Sequence, residues 1–103
     1  MTAKNVFEVL AEPHRRTMLD LLRIRERSVG ELVNLCGLSQ PGVSKHLRIM
    51  REAGLVEVKS VAQKSFYSIR PEPLKEIDQW LESYRHFWSK QLDHLEAFLD
   101  HEE

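Results

Sequence analysis

One cysteine, Cys36, is too few for an internal disulfide framework. That excludes a stapled secreted scaffold and points to a reducing compartment, read here as the cytoplasm. No stretch approaches the roughly 20 consecutive apolar residues that a membrane-spanning helix needs. The N-terminus also lacks the basic start, apolar run and small-residue cleavage site of a secretory leader, so a soluble protein with no membrane partner is expected. Neither sign of charge dominates: 15 Lys+Arg against 16 Asp+Glu leave a formal charge of −1. Global charge therefore advertises neither nucleic acid nor disorder. No phosphate-cradling glycine loop and no nucleophile with a positioned base is present, so no enzyme and no cofactor is expected.

What is present suits one domain over residues 1–103, because 103 residues with 42% hydrophobic side chains suffice for one core and not two. The charge is unevenly distributed. Residues 1–38 carry six basic and five acidic side chains, 39–70 six and two, and 71–103 three and nine. The middle third therefore has a positive field and the last third a negative one.

Glycine and proline punctuate the chain. Val6, Phe7, Val9 and Leu10 form a short apolar segment, and Pro13 fits the first position of a second helix through Met18, Leu19, Leu22 and Ile24. Ser28 followed by Glu31 is a capping-box pattern for a third helix of about two turns, ended by Gly37. Ser39 can cap a fourth helix through Val43, Leu47 and Met50, ended by Gly54. Two short helices around the turn Cys36-Gly37-Leu38 make a helix-turn-helix. The outer face of its second helix carries Gln40, Ser44, Lys45, Arg48 and Arg51.

After Gly54, the runs 55–59 and 65–69 have strand character and make a hairpin, which behind a helix-turn-helix is a wing. From Leu74 to Leu99 there is neither Gly nor Pro, which predicts one long helix over about 73–100. Its positions Ile77, Leu81, Tyr84, Trp88, Leu92, Leu95 and Leu99 form a coiled-coil type seam, widened by Trp80, Phe87 and Phe98. That is more apolar surface than a small winged domain covers by itself, so a twofold dimer is expected. The fold class predicted is mainly α with a small β-hairpin, a winged helix-turn-helix paired through its first and last helices.

The stretch Ser39–Leu47 (SQPGVSKHL), followed by Ala53–Val56 (AGLV) and Tyr67, resembles the ArsR/SmtB family of bacterial winged-helix repressors in order and spacing. The resemblance covers nearly the whole chain. It implies a homodimer that represses a promoter, its own included, by binding an imperfect palindrome in double-stranded DNA. Val6, Phe7, Leu10, Leu81, Tyr84, Trp88, Leu92, Leu95 and Leu99 are then the expected dimer interface.

The resemblance places Gln40, Ser44 and Lys45 toward the groove. There Gln suits adenine, Lys suits guanine, and Ser suits base or phosphate. Ser39, Arg48, Arg51 and the wing residues Lys59 and Lys64 are assigned to phosphates. Gly42 stands where the family has a small residue that lets the backbone approach the duplex. His46 is assigned to packing or a phosphate contact. Many members have Gly in the wing turn, whereas Ala62 and Gln63 resist positive φ, so a loop longer than two residues is expected.

Metal sensing is not expected. Where family sensors place paired thiolates, this chain has Val33 and Leu35, and Cys36 alone supplies too few ligands. On the last helix, His86, His94 and His101 with Asp78, Asp93, Glu96 and Asp100 are donors of the right type in the wrong pattern. They read as a solvated acidic face. Two further readings stand beside the repressor: a metal-responsive version with a site on the last helix, and a winged module that binds a protein partner. No effector is identified.

Overall fold

The computed structural model describes residues 5–102, with side chains described through Asp100. Five helices and three strands follow in the order α1 (Val6–Leu10), α2 (Pro13–Ile24), β1 (Arg27–Ser28), α3 (Val29–Cys36), α4 (Gln40–Glu52), β2 (Val56–Val61), β3 (Lys64–Ile69) and α5 (Leu74–Glu102).

Local chemistry starts and stops these elements. Asn5 caps α1, its side-chain oxygen accepting from the Glu8 amide at 2.9 Å. At the other end, Arg15 and Arg16 donate to the carbonyls of Val9 and Leu10 at 3.2 and 2.6 Å. They satisfy two of the acceptors that a short helix leaves open. The capping box on α3 is complete: the Glu31 amide donates to Ser28 Oγ at 3.2 Å, and Glu31 Oε1 accepts from the Ser28 amide at 3.1 Å. Gly37 ends α3 at φ +69°, in the left-handed region where glycine meets no Cβ penalty. Ser39 then starts α4, its Oγ accepting from the Gly42 amide at 3.2 Å.

The sheet contains one strand that the sequence pattern does not announce. β1 is only two residues, but Arg27 pairs with Tyr67 and Ser28 with Phe66, so the order is β1-β3-β2, all antiparallel. A two-residue strand lies below any periodicity signal, and its pairing places the start of α3 beside β3.

The wing turn corrects the expectation of a longer loop. β2 and β3 stay in register from Val56↔Ile69 out to Val61↔Lys64, so Ala62 and Gln63 alone make the turn, at φ +51° and +68°. Six consecutive pairs and the right-handed twist of the ribbon demand a turn of this hand. They impose it on two residues for which it costs about 1–2 kcal/mol each.

The core lies between α1, α2, α3, α4 and the root of β2. Met18, Leu32, Leu47, Met50 and Leu55 are among its fully buried side chains, with Val9 and Val43 beside them. Val6 is also buried, at 3% exposure, so it serves the protomer's own core and has almost no surface for the dimer face to which it was assigned. A tight joint follows α4. The Leu55 amide donates to the Met50 carbonyl at 2.9 Å, and the Leu55 carbonyl accepts from the Arg70 amide at 2.7 Å. Gly54, at φ +78°, makes that reversal possible.

α5 leaves this body. Its first turns touch the core through the half-buried Leu74 and Ile77. The rest projects, and the radius of gyration is 18.6 Å, well above the about 13 Å expected of a compact chain this long. Among the described residues, no helix is long and apolar enough to cross a membrane.

Candidate nucleic-acid interface

The groove-facing candidates stand on α4, a helix held on its inner side by Val43, Leu47, Ile49 and Met50. With that stripe buried, Ser39, Gln40, Ser44, Lys45, Arg48 and Arg51 are all solvent-exposed. Gln40 is the first helical residue and lies at the exposed N-terminus, where the macrodipole and the free amides favour an anion such as a phosphate. No acidic side chain interrupts this face until Glu52, at the helix end.

The wing places its basic groups separately. Lys64 is exposed at the first residue after the turn, one pair from the tip. Lys59 is exposed too, with Nζ 3.6 Å from a Glu26 carboxylate oxygen. A salt bridge so open to water holds its partners weakly, and Lys59 can exchange Glu26 for a phosphate.

Two candidates have local structural roles. A Cβ on Gly42 would lie 3.2 Å from Ser39 Oγ, so glycine here makes room for the cap that starts α4. His46 turns inward against α2, with 16% of its side chain exposed. Its Nδ1 accepts from Arg15 Nε at 3.1 Å, and its ring stacks on His14 at a centroid distance of 5.9 Å. Burial lowers its pKa, opposed by Glu12 and reinforced by Arg15. The neutral ring thus acts as the acceptor of a packing contact, and its side chain is withdrawn from the exposed face of Gln40, Ser44 and Lys45.

Sequence reasoning missed the partners of that contact. Glu12, His14 and Arg15 lie more than 30 residues before His46, and no spacing pattern links them; only the packing of α2 on α4 brings them together. Cys36 is half-buried, and burial pushes its thiol pKa up, which disfavours the reactive thiolate.

The apolar seam on α5 is open. Trp80, Tyr84, Phe87, Trp88, Leu92, Leu95, Phe98 and Leu99 are exposed, while Leu81 is half-buried. An aromatic row continues it onto α1: Phe7 meets Trp80 edge-on at 5.9 Å, Trp80 lies 5.1 Å from Tyr84, and Tyr84 lies 6.5 Å from Trp88. Leu10 is half-buried and packs against the protomer's own core. Around the helix, Arg85 bridges Asp78 and Glu82. The side chain of His101 lies outside the described residues.

Comparison with known proteins agrees with this architecture. Residues 12–58 match the model of the bacterial regulatory protein, arsR family. The transcriptional repressor SdpR of Bacillus subtilis is 30% identical over 77 residues, which cover 75% of this chain and 86% of that protein. The arsenic resistance transcriptional regulator ArsR1 of Pseudomonas putida is 36% identical over 84 residues, 81% of this chain and 62% of the relative. Among solved structures, a possible transcriptional regulator for arsenical resistance superposes with a TM-score of 0.68 at 36% identity, covering 87% of this chain and 91% of the other. HlyU of Vibrio vulnificus superposes with a TM-score of 0.63 at 34% identity, over 77% and 82% of the two chains. With an exposed basic recognition helix, a wing and these relatives, the chain belongs to the arsR family of winged-helix, DNA-binding transcription regulators.

Proposed function

We propose that the chain is a homodimeric transcriptional repressor, acting in the cytoplasm on an imperfect palindrome in a promoter, its own included. The observation that carries this reading is the segregation of surfaces. One face presents Gln40, Ser44, Lys45, Arg48 and Arg51 beside the wing, while the apolar row from Phe7 to Leu99 lies on other elements, α1 and α5. Pairing two copies along α5 would cover the apolar row and leave two α4 helices free to enter successive major grooves about 34 Å apart.

In this arrangement Gln40, Ser44 and Lys45 read base edges, and Ser39, Arg48, Arg51, Lys59 and Lys64 hold phosphates. The nine acids of residues 71–103 keep the far surface away from the duplex.

Fluorescence anisotropy on duplexes tiling the upstream region, against a scrambled control and over a salt series, tests the proposal. The expected result is saturable binding to one tile that weakens steeply as salt rises. Gln40→Ala and Lys45→Ala should each reduce preference for that tile by about 1–3 kcal/mol with the dimer intact. Equal weak binding to every tile, or a salt-insensitive complex with a protein instead, would overturn it.

A further inference from the structure

Beside the recognition helix, three ligand-type side chains converge from two elements. Glu12 precedes α2, His14 is its second residue, and His46 lies on α4; the donor atoms of all three fall within 4.8 Å of one another. We propose that Glu12, His14 and His46 form a binding site for a divalent transition-metal ion of the zinc type, which clamps the start of α2 to the recognition helix.

Two of the three donor separations approach those of a tetrahedral site. Bonds of about 2.0–2.2 Å from zinc to nitrogen and oxygen put neighbouring donors about 3.4 Å apart. Here His14 Nδ1 is 3.3 Å from Glu12 Oε2, and His46 Nε2 is 3.8 Å from the same oxygen. The other carboxylate oxygen, Oε1, accepts the His14 amide at 2.7 Å. That bond aims the carboxylate, whose Oε1 also lies 3.1 Å from His14 Nδ1, toward both rings, the type of outer-shell support that metal-binding carboxylates use.

Chemistry narrows the ion. Two imidazoles and one carboxylate suit zinc and its first-row neighbours, whereas magnesium and calcium prefer all-oxygen shells. His14 and Glu12 are open enough for water to take the fourth position, with side chains 50% and 31% exposed. No thiolate is involved, and the site lies away from α5. His46 stands more than 30 residues from Glu12 and His14, which explains why no local motif reveals the set.

Binding has a definite consequence for Arg15. As the hydrogen bond from Arg15 Nε to His46 Nδ1 stands, the neutral ring carries its proton on Nε2. Coordination through Nε2 moves that proton to Nδ1 with no net change in protonation. Nδ1 then becomes a donor, and Arg15 Nε must turn away while Nη1 keeps the Val9 carbonyl at 3.2 Å. Metal therefore exchanges one α2–α4 link, the Arg15–His46 hydrogen bond, for a stronger one.

Titration of the chelator-treated full-length chain with Co(II), followed by its ligand-field absorption and by displacement with Zn(II), tests the site without DNA. It therefore stands or fails independently of the repressor reading. One ion per chain is expected. His14→Gln, an exposed position whose backbone cap is retained, should weaken binding by roughly tenfold or more, as should Glu12→Gln. A variant with His86, His94 and His101 all changed to Gln should bind as the native chain does, and Zn(II) should raise the thermal midpoint of both. Unchanged Co(II) affinity in His14→Gln, loss of binding in the α5 variant, or no binding by the native chain would each overturn the proposal.

Discussion

Residues 6–56 supply every fully buried apolar side chain among those described, whereas α5, the longest helix at 29 residues, supplies none. Both regions have helical apolar periodicity, and in the sequence they look alike. What separates them is whether the complementary face belongs to the same chain. The stripe of α4 finds α2, α3 and β2 within one protomer, while on α5 beyond Ile77 Trp80 meets Phe7, Leu81 is half-buried, and Tyr84 onward stays exposed. An amphipathic pattern states that a face will be covered and leaves open what covers it.

This contrast can be broken most severely in the core. Leu47→Ala removes a fully buried side chain and should lower unfolding free energy by about 2–5 kcal/mol, read from urea denaturation. The matching change on α5, Leu92→Glu, should leave the core packed and act on association. Each leucine side chain fully buried between protomers would contribute about 1.5–3 kcal/mol, so on the proposed pairing the variant should sediment as a monomer at concentrations where the native chain sediments as a dimer. Should Leu92→Glu instead unfold the protomer at low concentration, α5 would belong to the core after all.

Smaller effects test the boundary elements. Gln63→Gly should stabilise by about 1 kcal/mol, because it relieves a left-handed residue in the wing turn while giving up some chain stiffness. The smallest effect is pH-dependent. Glu31 has its pKa lowered, first by the hydrogen bond from the Ser28 backbone and then by Arg25. A depressed carboxylate pKa means that the stabilisation is complete above the ordinary value of 4.5 and is lost as pH falls through the lower folded value. The Ser28 amide, which donates to the Glu31 carboxylate, should lose protection against exchange, relative to its intrinsic rate, under those acidic conditions and keep it near neutrality.

Legibility in the sequence followed the range of the interactions involved. The helix starts at Ser28 and Ser39 and the stop at Gly37 depend on residues within three positions of one another, and they read directly. β1 and the inward turn of His46 depend on partners 31 to 40 residues away and left no local trace. The wing turn reads wrongly for a related reason: the preferences of Ala62 and Gln63 are local, and six pairs of ladder outweigh them. Gln40, Ser44 and Lys45 were identifiable as an exposed basic face because burial of Val43, Leu47 and Met50 leaves them only one side to occupy.

The joint at Leu55 has a mechanical consequence. Its amide holds the exit of α4 and its carbonyl holds Arg70 at the exit of β3, four residues before α5 begins at Leu74. The end of α4, the root of the wing and the approach to α5 thus meet at one residue, and on the proposed reading a rotation of α5 would carry α4 and the wing with it. Their mutual angle is then set within the protomer, and in the proposed dimer the adjustable quantity would be the span between the two copies of α4.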